Sequence, residues 1–248
     1  MAGEAADGGL KDTALDPALS PGPYAVPAGV LGALRVLQTG RGEAGDTGFL
    51  VARLGLVSGW QLRRLLRAGP ADRSLPGRLV RAGVLTAHSV EGPVRLPRFY
   101  GPGPGVRPLW PPWDGLVAVN QVVANQFLVK LLSLGPVQGA AFCADYGPGL
   151  TVVRGGDRFT VVAFREGREE EQRFKAFLEL YRPGEGKIVV VASSVRHLIQ
   201  LSLLARERVC PLRLTWDGAL FHLPLARAFC RVGGDGPVPV LMSGLGAV

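Results

Sequence analysis

The residues of this chain best suited to chemistry are arginines, and they concentrate in one segment. Residues 50–110 contain ten arginines and two acidic residues, a net charge of +8. The whole chain also carries +8, so its remaining residues hold 18 basic and 18 acidic side chains. Guanidinium groups attract phosphate, and a positive field confined to one small unit is typical of proteins that bind nucleic acid. A general arginine bias is the alternative, since 24 of the 28 basic residues are arginine, but bias alone would not remove acids from this segment.

The elements that position these arginines are predicted to be three short helices followed by a two-stranded hairpin. Leu50, Leu54 and Val57 follow helical spacing. Two serines stand where helix N-caps are needed, namely Ser58 and Ser74. Residues 84–86 and 94–96 flank a turn at 91–93, which predicts the hairpin. Three helices and a hairpin are the plan of a winged helix-turn-helix, and we predict one over residues 28–100.

Within this unit the third helix is predicted to read DNA. Leu79 and Val80 face inward, which turns Arg78 and Arg81 outward, where arginine can bond guanine in the major groove. The preceding helix would hold phosphates through three arginines, and the hairpin would touch the backbone or minor groove through two. The predicted DNA contacts are Arg63, Arg64, Arg67, Arg73, Arg78, Arg81, Arg95 and Arg98.

The rest of the chain is predicted to be an α/β unit, which makes the chain α+β overall. Residues 1–27 are expected to form a disordered arm, and the Pro- and Gly-rich residues 101–115 a linker. Residues 116–230 are predicted to begin with an amphipathic helix at 116–134 and a strand at 140–144. Strands and helices then alternate: strand 159–164, helix 169–181, strand 188–192, helix 194–206 and strand 212–216. This alternation predicts a mainly parallel sheet. Residues 231–248 are expected to be a flexible tail.

Composition also limits the classes of protein to which this chain can belong. The chain has three cysteines, too few and too widely spaced for a disulfide framework or a zinc knuckle, so buried free thiols in the cytoplasm are expected. No signal peptide and no membrane-spanning helix are predicted. We predict no metal and no cofactor.

Several segments resemble the replication-relaxation family. The first two are Gly-Leu-Val-Ser-Gly-Trp-Gln-Leu-Arg-Arg-Leu-Leu at 55–66 and Arg-Leu-Val-Arg-Ala-Gly-Val-Leu at 78–85. The others are Leu-Val-Ala-Val-Asn-Gln-Val at 116–122, Arg-Phe-Thr-Val-Val-Ala-Phe-Arg-Glu-Gly-Arg-Glu at 158–169 and Phe-Lys-Ala-Phe-Leu-Glu-Leu-Tyr at 174–181. The resemblance covers about residues 48–216. It implies a winged helix followed by a restriction-endonuclease-like α/β domain, and a role in plasmid or mobile-element replication and DNA relaxation.

The chain departs from the nuclease pattern of that family at its acidic positions. Where the resemblance implies Pro-Asp, the sequence reads Pro148-Gly149, and the strand 161–164 has no carboxylate. Only Lys175 and Tyr181 look retained. Metal-assisted cleavage needs clustered carboxylates, so we predict no catalytic residues. A displaced metal site at Glu166, Glu169, Glu170 and Glu171 is disfavoured against a solvated helix start with a Glu171–Lys175 pair. Ser193 and Ser194 are assigned to helix capping rather than to anion binding.

The sequence therefore predicts a non-catalytic protein that binds double-stranded DNA. A homodimer and proteins of replication or transfer are the further partners considered, and no membrane contact is expected. Three alternatives stay open: a metal-dependent nuclease or nickase, a winged-helix transcriptional regulator, and a protein-interaction module without a DNA role. Divalent-metal-dependent cleavage of supercoiled plasmid would identify the first of these.

Overall fold

The fold was examined in a computed structural model, which describes residues 33, 36–68, 72–89, 98–104, 115–143, 148–181, 186–206, 212–233 and 236–240. The predicted arm at 1–27, Arg95, Cys210 and the end of the chain after residue 240 lie outside the described residues. Helices and strands alternate over the described part, so the chain is of the mixed α/β class.

The first unit contains three helices and a small antiparallel sheet. The helices are α1 (Ala44–Leu54), α2 (Gly59–Leu65) and α3 (Leu75–Arg81), and residues 36–39 form a helical turn before them. The strands are β1 (Val57–Ser58), β2 (Leu85–His88) and β3 (Phe99–Pro102), in the order β1-β3-β2. The serine predicted to cap α2 does so, because the Ser58 hydroxyl accepts from Gln61 N–H at 3.2 Å and Gln61 Oε1 accepts from Ser58 N–H at 3.0 Å.

Two boundaries in this unit differ from the sequence prediction. Val57 belongs to β1 and not to the first helix, because Gly55 at φ +75° ends α1 and turns the chain. Gly101 and Pro102 were assigned to the linker but pair with Thr86 and Leu85 in β3. A proline is tolerated there because it is the last residue of its strand. The predicted strand 94–96 lies outside the described residues.

The second unit is built on a seven-stranded mixed sheet with the order β10-β9-β8-β7-β6-β5-β4. Its strands are β4 (Gly139–Cys143), β5 (Gly149–Arg154), β6 (Asp157–Ala163), β7 (Lys187–Ala192), β8 (Arg213–Trp216), β9 (Phe229–Gly233) and β10 (Gly236–Val240). Its helices are α4 (Gly115–Leu132), α5 (Arg168–Leu180), α6 (Val195–Ala205) and α7 (Asp217–His222), with a 3₁₀ turn at Leu225–Arg227. The predicted alternation from β6 to β8 is confirmed.

The prediction of a mainly parallel sheet is wrong. Only the β6–β7 and β7–β8 pairs are parallel, and the other four pairs are antiparallel. The strand β5, which the sequence did not predict, is joined to β6 by Gly155 and Gly156, both with positive φ. A two-residue turn of this kind can connect only antiparallel neighbours, so the chain forms a meander before its first crossover helix.

The predicted tail at 231–248 is also partly wrong. Arg231–Gly233 continues β9, and β10 pairs with it from Gly236 to Val240. The Gly and Pro content suggested a flexible segment, but valines alternate with prolines along β10, as an edge strand allows. A proline donates no backbone hydrogen bond, so Pro237 and Pro239 add no donor to the pairing with β9, which is tolerated in an edge strand.

Helix α4 is predicted to be amphipathic, but it is buried on all sides. Twelve of its residues are buried, among them the amides Asn120, Gln121, Asn125 and Gln126. It is long and apolar enough to cross a membrane, yet 67% of that span is buried inside the fold, as in a core helix. One hydrophobic cluster joins Leu54 and Leu62 of the first unit to Phe127 of α4 and Val161 of β6. The two units therefore share a core through α4.

The amides of α4 hold the first unit in place. Asn125 Nδ2 donates to the carbonyls of Leu54 at 3.0 Å and Leu56 at 2.6 Å, and Gln121 Nε2 donates to Leu54 O at 3.0 Å. From the other side Gln61 Nε2 donates to Val122 O at 2.6 Å. The Leu54 and Leu56 carbonyls lie at the end of α1 and just beyond it, outside the helical hydrogen-bond ladder, so the amides of α4 satisfy buried acceptors there.

The opposite face of the sheet is covered by α5 and α6 through a separate apolar cluster. The inner face predicted for α5 is confirmed, since Phe174, Phe177, Leu178 and Tyr181 are all buried. Phe164 meets Phe174 edge-to-face with ring centroids 5.1 Å apart. This aromatic packing sets the position of the residues that follow β6.

Candidate nucleic-acid interface

The helix predicted to read DNA is held on the surface of the first unit by one side. Pro76 is buried, and Leu79 and Val80 pack partly buried against the core. Arg78 and Arg81, three residues apart, are exposed on the opposite side, as the sequence predicts. Arg73 is exposed just before the helix, and Arg98 is exposed immediately before β3.

Arg78 is engaged by an acid that the sequence analysis did not connect with it. Its Nη1 and Nη2 contact Asp72 Oδ1 at 3.0 Å and Oδ2 at 2.8 Å, and Nη1 also donates to Ser74 Oγ at 2.7 Å. The hydrogen bond from Arg78 lowers the pKa of Asp72 below its usual range. Ser74 was expected to cap α3, but its hydroxyl bonds Asp72 and makes no cap bond. Arg81 has no hydrogen-bond or ion-pair partner among the described residues.

Arg63 and Arg64 of α2 and Arg67 just after it, which the sequence assigns to one phosphate-holding helix, do not share one face. A Cβ on Gly59 would lie 3.2 Å from the Tyr100 ring, 3.5 Å from Pro76 and 3.8 Å from Arg63 Nη1, so Arg63 faces the junction with α3. Arg64 and Arg67 instead line an open groove against α4. A seven-residue helix exposes more than one side, and helical spacing alone does not say which side a neighbouring helix will cover.

One arginine counted in the charge excess is not available at the surface. Arg53 lies in the last turn of α1 and is 6% exposed. Burial lowers the pKa of its guanidinium, and its Nη2 has no hydrogen-bond partner within the described residues. The surface field of the first unit is therefore weaker than the sequence count by this one charge.

The nuclease positions implied by the resemblance lie together in the sheet and are apolar. Gly149 pairs with Val162 at the start of β5, and Val161, Val162 and Ala163 are buried. Over the described ranges no group of three or more His, Cys, Asp or Glu residues could hold a metal ion. Cys143 and Cys230 are buried. Nothing in this part of the sheet can bind a divalent cation through carboxylates.

The carboxyl ends of β6 and β8 carry a buried ion network that sequence reasoning missed. Arg165 bonds Asp217 through Nη1 at 2.5 Å and Nη2 at 3.1 Å, and its Nε donates to Asn120 Oδ1 at 2.8 Å. Glu170 accepts from Arg165 N–H at 2.9 Å and pairs with Arg173 at 2.6 Å. Burial raises the pKa of Asp217, while Arg165 opposes that shift.

This network is closed on itself. Arg165, Asp217 and Glu170 have partners within the network, so their charges serve structure and leave no open site. The signal in the sequence was an arginine directly after one buried strand and an acid directly after another. Parallel strands bring their carboxyl ends to the same edge of a sheet. The sequence could not assign which acid would pair with which arginine.

The acidic and serine residues at the starts of α5 and α6 make local contacts within the fold. Glu171 pairs with Lys175 at 2.7 Å, in agreement with the solvated helix start. Ser194 caps α6, since its hydroxyl accepts from His197 N–H at 3.1 Å. His197 is 4% exposed, and its Nδ1 accepts from Ser193 N–H at 3.2 Å. Burial lowers the pKa of His197.

Comparison of the chain with protein-family models, curated proteins and solved structures found no match. Membership of the replication-relaxation family therefore stays a prediction from the residues quoted above. The geometry of the described residues carries the functional argument.

Proposed function

We propose that this protein binds double-stranded DNA through its first unit, as a non-catalytic accessory of plasmid or mobile-element replication or relaxation in the cytoplasm. The observation that carries the proposal is the exposed side of α3, which presents Arg78 and Arg81 while its other side packs on the core. Arg73 and Arg98 extend the same basic surface on the loop before α3 and at the base of β3.

The order of elements supports a winged helix. Helix, short strand, two helices and two paired strands follow one another from α1 to β3, and β1 completes a three-stranded sheet. In such a unit the last helix enters the major groove, and the hairpin lies beside it on the backbone. Arg78 and Arg81 then meet base edges, and Arg98 meets phosphate.

The second unit is proposed to be a restriction-endonuclease-like scaffold without catalysis. A helix, an antiparallel meander, a second helix and a parallel strand follow in order from α4 to β7, which fits the fold implied by the resemblance. Its β5–β6 hairpin carries glycine and apolar residues where metal-binding acids would be needed. The unit would then serve as a support for the first unit and as a docking surface for a second copy or a replication protein.

The test is fluorescence anisotropy of the full chain with a random duplex over a salt series. Each neutralised phosphate adds about −0.9 to the slope of log K against log salt. We expect the Arg78→Glu/Arg81→Glu variant to lose most of the affinity and to flatten the slope. Arg206→Glu/Arg231→Glu, which reverses two exposed charges on the second unit, is the matched control and should retain most of the affinity.

Removing the negative charge of Asp72 tests the role of Arg78 separately. Asp72→Asn releases Arg78 from its ion pair and removes one negative charge beside the duplex, so the variant should bind duplex more tightly. Absence of duplex binding at low salt would contradict the proposal and favour a protein-interaction module. Metal-dependent cleavage of supercoiled plasmid would favour the nuclease alternative.

A further inference from the structure

A second surface of the first unit is a groove between α2 and the last turns of α4. Its volume is about 420 Å³, within the range of small-ligand sites. Its floor is apolar and its rim is polar. The apolar lining residues are Leu37, Leu65, Ala68, Val129 and Leu132, and the polar ones are Arg64, Arg67 and Ser133.

Three cations gather at this groove without an acidic partner in the described part of the chain. Arg64 and Arg67 line it, and Lys130 lies on α4 three residues before Ser133. Burial and then the nearby charge of Arg64 lower the pKa of Lys130, so these two cations repel each other. The Lys130 ammonium itself donates to Leu223 O at 3.1 Å, just after α7, outside the residues that line the groove. An anion shared by these groups would relieve the repulsion.

Arg67 is fixed in the groove by an unusual backbone. It is the only non-glycine residue with positive φ (49°) among those described. It follows the end of α2, where glycine is the usual residue. Its Nη2 donates to Gln38 O at 3.2 Å, and its stem lies so close to Gly40 that a Cβ there would come within 2.2 Å of Arg67 Cγ. The fold therefore tolerates local strain and holds a cation at this point.

An exposed aromatic ring stands one helical turn before the groove. Trp60 is 40% exposed, and the Arg64 guanidinium lies 5.4 Å from the centre of its ring. Sites for single-stranded nucleic acid combine cations that follow the backbone with aromatic rings on which bases stack. In a duplex the bases are already stacked on each other and cannot reach an apolar floor.

We propose that the Trp60 face of α2 and the α2–α4 groove bind single-stranded nucleic acid. One base stacks on Trp60, and Arg64, Arg67 and Lys130 contact the following phosphates. A neighbouring base or sugar lies on the apolar floor. This surface is distinct from the exposed side of α3, because Arg63 and Pro76 occupy the junction between them. The inference does not depend on duplex binding by α3.

The experiment titrates a fluorescent thymidine 15-mer with the full chain. Trp60→Ala should weaken binding about tenfold, because it removes the ring on which one base stacks. Trp60→Phe retains an aromatic face and should recover most of the affinity. Arg64→Gln/Lys130→Gln should reduce the salt slope by about 1.4, since each phosphate contributes about 0.7 for a single strand. Circular dichroism and thermal unfolding verify that each variant is folded.

Two comparisons separate this proposal from duplex binding and from general attraction of anions. Arg78→Glu/Arg81→Glu should bind the 15-mer no more weakly than the matched Arg206→Glu/Arg231→Glu control. A chain that binds the 15-mer but no duplex contradicts the proposed function and leaves this inference intact. No binding of the 15-mer overturns the inference. Binding unaffected by Trp60→Ala and displaced equally well by poly-glutamate also overturns it, because the site would then recognise charge alone.

Discussion

The arginines at the carboxyl ends of the central strands and those on α2 and α3 differ in their partners. Arg165 and Arg173 are largely buried. Arg165 pairs with Asp217, and Arg173 pairs with Glu170. Arg64 and Arg81 are exposed and have no acidic partner within the described residues. The difference teaches that burial together with an acidic partner makes an arginine structural, whereas Arg78, which pairs with Asp72 at the surface, stays available to a ligand. Arginine content alone does not distinguish the two.

The contact between the first unit and α4 differs from both groups of arginines. The contact of α4 with the end of α1 is polar but uncharged, since Asn125 and Gln121 donate to backbone carbonyls. The basic unit is therefore attached to the sheet without acids that would weaken its field. Salt should screen DNA binding strongly and leave this attachment almost unaffected.

The largest expected effect comes from breaking the ion network. Arg165→Ala leaves Asp217 without its partner in a largely buried place, so we expect the free energy of unfolding to fall by about 3 kcal/mol. Urea unfolding measures the change. The double variant Arg165→Ala/Asp217→Ala should lose less than the sum of the two single variants. A loss below about 1 kcal/mol for Arg165→Ala would place this arginine with the exposed ones.

A smaller effect is expected at the uncharged attachment. Asn125→Ala removes the donor to Leu54 O and Leu56 O, and a buried carbonyl left unpaired costs about 1–3 kcal/mol. The loss should be the same at low and high salt. Arg64→Ala, the matched change on the exposed side, should alter stability by about 0.5 kcal/mol or less. If Asn125→Ala and Arg64→Ala lowered the free energy of unfolding equally, the contact of α4 with α1 would not differ from the exposed surface in its contribution to stability.

The smallest expected effect is a dependence of stability on pH. Burial lowers the pKa of His197, so the folded chain takes up its proton less readily than the unfolded chain. Stability is then complete above about pH 6.5 and declines as the pH falls through the pKa of the folded state. His197→Asn keeps an acceptor for Ser193 N–H and should reduce the decline.

His88 provides the control for this measurement. Burial lowers its pKa as well, so part of the decline should persist in His197→Asn and disappear when His88→Gln is added. Imidazole resonances in NMR spectra titrate each histidine separately. A midpoint for His197 above its ordinary value would contradict the expected direction.

The elements that the sequence predicts well are those with a clear period. Strand β7 is a short apolar run, and α5 shows Phe174, Phe177 and Tyr181 at helical spacing, so both were found within a residue or two of their bounds. Strands β5, β9 and β10 were missed because glycine and proline at their ends suggest turns or flexible chain. Whether such a segment joins a sheet depends on the neighbour available to pair with it, which is a long-range property.

The candidate site divides in the same way. Exposure of Arg78 and Arg81 follows from the spacing of Leu79 and Val80, so the sequence predicts it. The pairing of Arg78 with Asp72 depends on the turn before α3, which local patterns do not specify. The separation of Arg63 from Arg64 depends on α4, more than fifty residues further along the chain. Contacts between distant elements have no signature in a single sequence.

The two outer strands of the sheet limit how copies of this chain can associate. On one side β10 contains Pro237 and Pro239, which have no N–H to donate to an incoming strand. On the other side all five residues of β4 are buried, and α1 packs beside it. Growth of the sheet from one molecule into the next, the usual beginning of fibrillar aggregation, is therefore hindered at both ends.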